Sequence, residues 1–106
     1  MNAEVKARWI KALRSGRYSQ VAGVLHNEEG YCCLGVLCRV DGRRFLPVSG
    51  GFQIFDKVIR VWRESMPPTD LLEKAQLSKP KAEKLADMND KGKTFSQIAD
   101  WIEKNL

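Results

Sequence analysis

Residues 31–40 read YCCLGVLCRV and gather all three cysteines of the chain, together with five other apolar or aromatic residues, into ten positions. The setting is otherwise rich in lysine and arginine. An apolar run of this length fits a buried strand or a buried helix, and periodicity alone does not separate them. On a helix, Cys33, Leu37 and Val40 share one side and Leu34 and Cys38 an adjacent one, while Gly35 admits another element closely at some cost in propensity. We read the run as a helix that ends near Asp41-Gly42. It is the central buried element.

Upstream, Val5, Trp9 and Leu13 form an i, i+4, i+8 stripe from Asn2 to Ser15, with Gly16 placed to stop an amphipathic helix. Residues 17–30 read as an extended pass, with a β-like GVLH leading into the cysteine run. Downstream, RRFLPVSGGFQIF signals a hairpin about a Ser-Gly-Gly turn, and Pro47 confines its strand to a sheet edge. Phe55, Val58, Ile59 and Trp62 fall at i, i+3, i+4 and i+7, which predicts a helix face. MPPTDLLEKAQL restarts a short helix after two prolines. Ser78 and Pro80 then open another helix carrying Ala82, Leu85 and Ala86, and NDKG at Asn89–Gly92 turns the chain. Thr94 with Gln97 makes a capping-box pattern ahead of Phe95, Ile98, Ala99, Ile102 and Leu106 on the last helix. The expected fold is a compact single α+β domain over residues 1–106, mostly helical, with a small antiparallel sheet or hairpin and a C-terminal helical hairpin.

A chain of 106 residues, 43% hydrophobic and 29% charged, can build its own core. No apolar run approaches the roughly 20 residues of a membrane span. The N-terminus has no signal-peptide pattern, and an odd number of cysteines in an apolar run fits free thiols in a reducing cytoplasm. The net charge of +5 is unevenly spread. Residues 1–30 carry five cations and three anions, residues 31–63 six and two, and residues 64–106 seven and eight. Every arginine lies in the first 63 residues. Guanidinium forks suit carboxylates and phosphates, so Arg14, Arg17, Arg39, Arg43, Arg44, Arg60 and Arg63 are the candidate binding surface for an anionic partner.

Other chemistries have weaker support. Cys32, Cys33 and Cys38 contain no CxxC pair and the chain has a single histidine, His26, so neither a metal nor a cofactor is expected. A thiol nucleophile paired with His26 is one alternative, opposed by apolar neighbours that keep a thiol protonated. The glycines of VSGGFQ do not form a phosphate loop. A helix-turn-helix is superficially present near the C-terminus, but Asp100 and Glu103 would face phosphates. Trp9, Trp62 and Trp101 sit at helix-periodic positions and are expected in the core. A nucleic-acid surface built from arginines and exposed aromatics such as Tyr18 or Trp62 stays open.

The segments RWIKALRSGRYSQ, GVLH, GYCCLGVLC and LADMNDKGKTFSQIADWIEKNL together resemble a group of small accessory proteins encoded by tailed bacteriophages and prophages. Residues 43–62 carry the least of that resemblance. The resemblance implies a non-catalytic binding protein in the bacterial host cytoplasm, one that inhibits a host or defence component in the manner of anti-CRISPR and other anti-defence proteins. Its expected partner is a host or defence-system protein, or the nucleic-acid or nucleotide ligand of one.

Overall fold

In the computed structural model, which describes residues 1–106, the elements in chain order are α1 (Ala3–Arg14), β1 (His26–Asn27), β2 (Gly30–Tyr31), α2 (Cys33–Val40), β3 (Leu46–Val48), β4 (Gly51–Asp56), β5 (Val61–Arg63), α3 (Thr69–Ala75), α4 (Lys79–Asp90) and α5 (Phe95–Asn105). The cysteine run is thus a helix. Cys32 is its extended N-cap residue, and the Cys32 Sγ accepts the Gly35 N–H at 3.4 Å, a thiol taking the place usually held by a hydroxyl or carboxylate. Cys33 through Cys38 are all buried, as befits a helix that is apolar on every side.

The glycine inside α2 is there for space. A Cβ on Gly35 would lie 1.8 Å from the Leu25 carbonyl oxygen. Leu25 crosses the start of the helix at that point, accepting the Cys32 N–H at 3.0 Å and donating its own N–H to the Glu64 carbonyl at 2.7 Å. On another side, the indole N–H of buried Trp9 donates to the Cys33 carbonyl at 2.9 Å, tying α1 to α2. Asn89 at the end of α4 completes the enclosure. Its Oδ1 accepts the Cys33 N–H at 3.1 Å and the Gln20 amide at 2.9 Å, and its Nδ2 donates to the Val21 carbonyl at 2.7 Å.

The remaining helices follow their sequence signals. Asn2 caps α1 by accepting the Val5 N–H, Ser78 caps α4, and Thr94 with Gln97 forms the complete capping box of α5. The stripe of Val5, Trp9, Ile10 and Leu13 and that of Phe95, Ile98, Ala99 and Ile102 are buried in one core of 21 hydrophobic residues. The α4–α5 hairpin is present as expected. No helix is long and apolar enough to cross a membrane.

Two small sheets complete the α+β fold. Antiparallel β1 and β2 pair His26 with Tyr31 and Asn27 with Gly30, so the expected strand at GVLH begins only at its last residue. The second sheet has the order β3-β4-β5, antiparallel throughout, and Pro47 lies in edge strand β3. The helix expected over Phe55–Trp62 is instead the β4–β5 hairpin, with Phe55 opposite Trp62 and Ile54 opposite Arg63. Helix-period spacing yields here to Asp56. Its wholly buried carboxylate accepts the N–H groups of Val58 and Ile59, Nε of Arg63, and both the N–H and hydroxyl of Thr69, which folds the chain back after β4. The β-branched Val58, Ile59 and Val61 suit that course better than a helix.

Burial pushes the Asp56 carboxyl up, but the Thr69 hydroxyl, Arg63 and the backbone N–H groups outweigh it and hold the group well below the ordinary carboxylate range. A carboxyl depressed in the folded state contributes stability that is complete above its unfolded value, near 4, and is lost as pH falls toward its native one. Asp56→Asn should therefore lower the thermal midpoint at neutral pH and flatten its decline below about pH 4, as read by circular dichroism melts across the acid range. At the other anchor, Asn89→Leu strands the Cys33 N–H and the Val21 carbonyl. It should cost about 3 kcal/mol in urea unfolding.

Candidate interaction surface

Alternation along β4 sets the two faces of the larger sheet. Ile54 and Asp56 point inward and are buried, whereas Phe55 between them is exposed. Register extends the outer face to Leu46 and Val48 across from Gln53 and Gly51, and to Trp62 across from Phe55. The Phe55 and Trp62 rings pack against each other with centroids 5.1 Å apart, yet Phe55 stays 43% and Trp62 48% exposed. Trp62 is therefore not a core residue. At the hairpin tip, Val58 and Ile59 are 51% and 50% exposed. All the large hydrophobics that are exposed in this protein, Leu46, Val48, Phe55, Val58, Ile59, Val61 and Trp62, belong to this sheet or its tip.

Cations border the apolar face. Lys57 and Arg60 flank Val58 and Ile59 in the turn, Arg44 precedes β3, and all three are exposed. Arg60 adopts φ 57, a left-handed conformation that glycine or asparagine would take at lower cost. Glu64 is the carboxylate on this side, and Gln53 donates to it at 2.8 Å.

Three of the seven arginines proposed from the sequence are engaged in ion pairs. Arg14 reaches Asp100 at 2.7 Å and Glu103 at 3.2 Å, joining α1 to α5, and those two hydrogen bonds raise its pKa. The same two carboxylates are what speak against a DNA-reading role for α5. Arg43 bridges Asp41 at 2.8 Å and Asp70 at 2.5 Å, and Arg63 holds Asp56 at 2.8 Å. Burial pulls the Arg43 guanidinium down, but its bonds to Asp41 and Asp70 leave it raised overall. Arg14, Arg43 and Arg63 are thus engaged within the fold. Arg17, Arg39, Arg44 and Arg60 are exposed and outside every ion pair. What the sequence reading missed is the sheet face, because the helix-period pattern assigned Phe55 and Trp62 to the core.

The thiol alternative finds no geometry to support it. All three cysteines are free and buried, the Cys33 thiol donates to the Leu85 carbonyl at 3.5 Å, and burial pushes each thiol up, Cys33 and Cys38 well above the ordinary value. His26 is occupied elsewhere. Its ring stacks on Tyr31 at 3.9 Å and on Phe52 at 4.1 Å, and Nδ1 donates to the Gly30 carbonyl at 2.7 Å. The histidine joins the two sheets by packing. No group of three or more His, Cys, Asp or Glu residues is placed to hold a metal ion.

Among known families, one described as a domain of unknown function (DUF8296) matches residues 1–45, which span α1, the β1–β2 hairpin and α2 and stop before β3. No curated protein and no solved structure matches the chain.

The buried thiols give a direct check. Iodoacetamide under native conditions should leave Cys32, Cys33 and Cys38 unmodified by mass spectrometry until the protein is unfolded. Cys33→Ser and Cys38→Ser should each cost about 1–3 kcal/mol by urea denaturation, since a hydroxyl desolvates at greater cost than a thiol.

Proposed function

We propose that this is a small, non-catalytic binding protein of phage and prophage origin that attaches stoichiometrically to a host or defence-system protein in the bacterial cytoplasm and inhibits it. An anti-CRISPR or other anti-defence role fits this class. The phage origin rests on the resemblance of the cysteine block and the C-terminal block. The binding role rests on one observation: the β4–β5 hairpin presents Phe55, Trp62, Val58 and Ile59 to solvent while a complete core forms behind them.

Exposed aromatic and aliphatic side chains clustered on a rigid hairpin have the character of an interface centre, and cations around them have the character of its rim. The occupant that matches is a protein surface with an apolar pocket bordered by carboxylates. Arg44, Lys57 and Arg60 would steer it into place, and the arginine forks would engage its carboxylates at the edge. A second copy of this chain is a poorer match, because face-to-face pairing would set like-charged rims against each other.

Affinity capture from bacterial lysate supplies a candidate, and the decisive measurement is reconstitution with that protein purified. Joint Phe55→Ser and Trp62→Ser should weaken binding by about 100-fold. Arg60→Glu should weaken it by about tenfold and reduce its salt dependence. The melting temperatures should hardly change, because these side chains lie outside the core. Unchanged affinity in both variants would overturn the reading, as would light scattering that shows a dimer dissolved by Trp62→Ser.

A further inference from the structure

A second charged feature lies at the end of α1. Arg8, Lys11 and Arg17 line one groove of about 470 Å³ together with Ser15, Tyr18 and Val40, and no carboxylate lines it. None of the three cations enters an ion pair, in contrast to Arg14 on the same helix. Arg8 and Lys11, three residues apart, repel one another.

Local geometry at the end of α1 shapes the groove. Gly16, at φ 75, ends α1 in the left-handed conformation and turns the chain toward Arg17. The Ser15 hydroxyl donates to the Ala12 carbonyl at 2.6 Å and accepts the Arg17 N–H at 3.2 Å. The Ala12 carbonyl thus accepts twice, since the Ser15 N–H also reaches it at 3.1 Å. Tyr18 supplies an aromatic wall. Its half-buried ring meets Tyr31 edge-on at 5.4 Å and 87°, and Tyr31 is itself stacked on His26.

We propose that this groove binds nucleotides, with Arg8, Lys11 and Arg17 on phosphate and Tyr18 stacked on a base. Its volume lies in the range of small-ligand sites. An acidic peptide would use the cations and leave the aromatic wall idle, whereas a nucleotide uses both. Two sources share this chemistry: single-stranded nucleic acid running through the groove, and a free nucleotide. The groove shares no residue with the sheet face, so the inference stands or falls independently of the proposed protein partner.

The test is fluorescence anisotropy of the full chain with a labelled oligothymidylate of about 12 nucleotides, with ATP, inorganic phosphate and polyglutamate as competitors. With three phosphate contacts the logarithmic salt slope should be about −2. Joint Arg8→Gln, Lys11→Gln and Arg17→Gln should weaken binding by at least about 30-fold and flatten that slope. Tyr18→Leu should weaken binding by about tenfold at unchanged slope, and Tyr18→Phe should restore it. Arg60→Gln should have no effect. Tighter binding of the oligonucleotide identifies the strand as the source, and stronger competition by ATP identifies the free nucleotide. The inference is overturned if neither binds, if the triple variant binds like the unmodified chain, if inorganic phosphate competes as well as ATP, or if polyglutamate displaces the probe as well as the oligonucleotide does.

Discussion

The burial of α2 on all sides is the constraint from which the rest of the fold follows. A helix whose N-terminal end is wholly buried cannot leave its orphan N–H groups there to water, so they must be met by partners inside the protein. Asn89 takes the Cys33 N–H, the Cys32 thiol takes the Gly35 N–H, and the Leu25 carbonyl takes the Cys32 N–H. These partners come from three places in the chain, and holding them there fixes α4, the helix start and the 20–25 pass relative to one another. Gly35 is the matching steric condition, since only a missing Cβ lets the Leu25 carbonyl reach its place. The cysteines contribute as small, adaptable apolar groups and, at Cys32, as a cap.

Asp56 plays the corresponding part for the larger sheet. By accepting from Val58, Ile59, Arg63 and Thr69 it shapes the β4–β5 turn, draws β5 alongside β4 and secures the start of α3. Because Ile54 and Asp56 face inward, strand alternation obliges Phe55 to face outward. The exposed aromatic pair is thus a consequence of where the carboxylate is anchored. That anchoring also consumes Arg63, which cannot serve as a surface cation while it neutralises a buried carboxylate.

The excess of positive charge is divided by the fold into working and structural parts. Arg14, Arg43 and Arg63 answer carboxylates supplied by α5, α3 and β4 and by Asp41, while Arg17, Arg39, Arg44 and Arg60 remain on the surface. The acidic C-terminal third therefore balances part of the basic N-terminal part within the molecule. Among the cations outside those pairs, Arg8, Lys11 and Arg17 gather in a groove at the end of α1, and Arg44 and Arg60 lie on or beside the segments of the larger sheet. Two small basic features, each next to an aromatic side chain, favour recognition of particular ligands over general attraction to polyanions.

The sequence by itself determined the elements whose causes are local. Asn2, Ser78 and the Thr94–Gln97 box each cap a helix through a neighbour three residues away, and Gly16 and Pro47 act on their own backbone, so short stretches were enough to place three helices and an edge strand. Only the tertiary structure decided the course of residues 55–63. The helix-period spacing of Phe55, Val58, Ile59 and Trp62 is real, but Asp56 finds Thr69 thirteen positions away, and such a contact leaves no trace in local periodicity. The arginines show the same limit. Composition revealed their excess, whereas the carboxylates that claim Arg14 and Arg43 lie as far as 89 and 27 residues along the chain, and only folding brings them together.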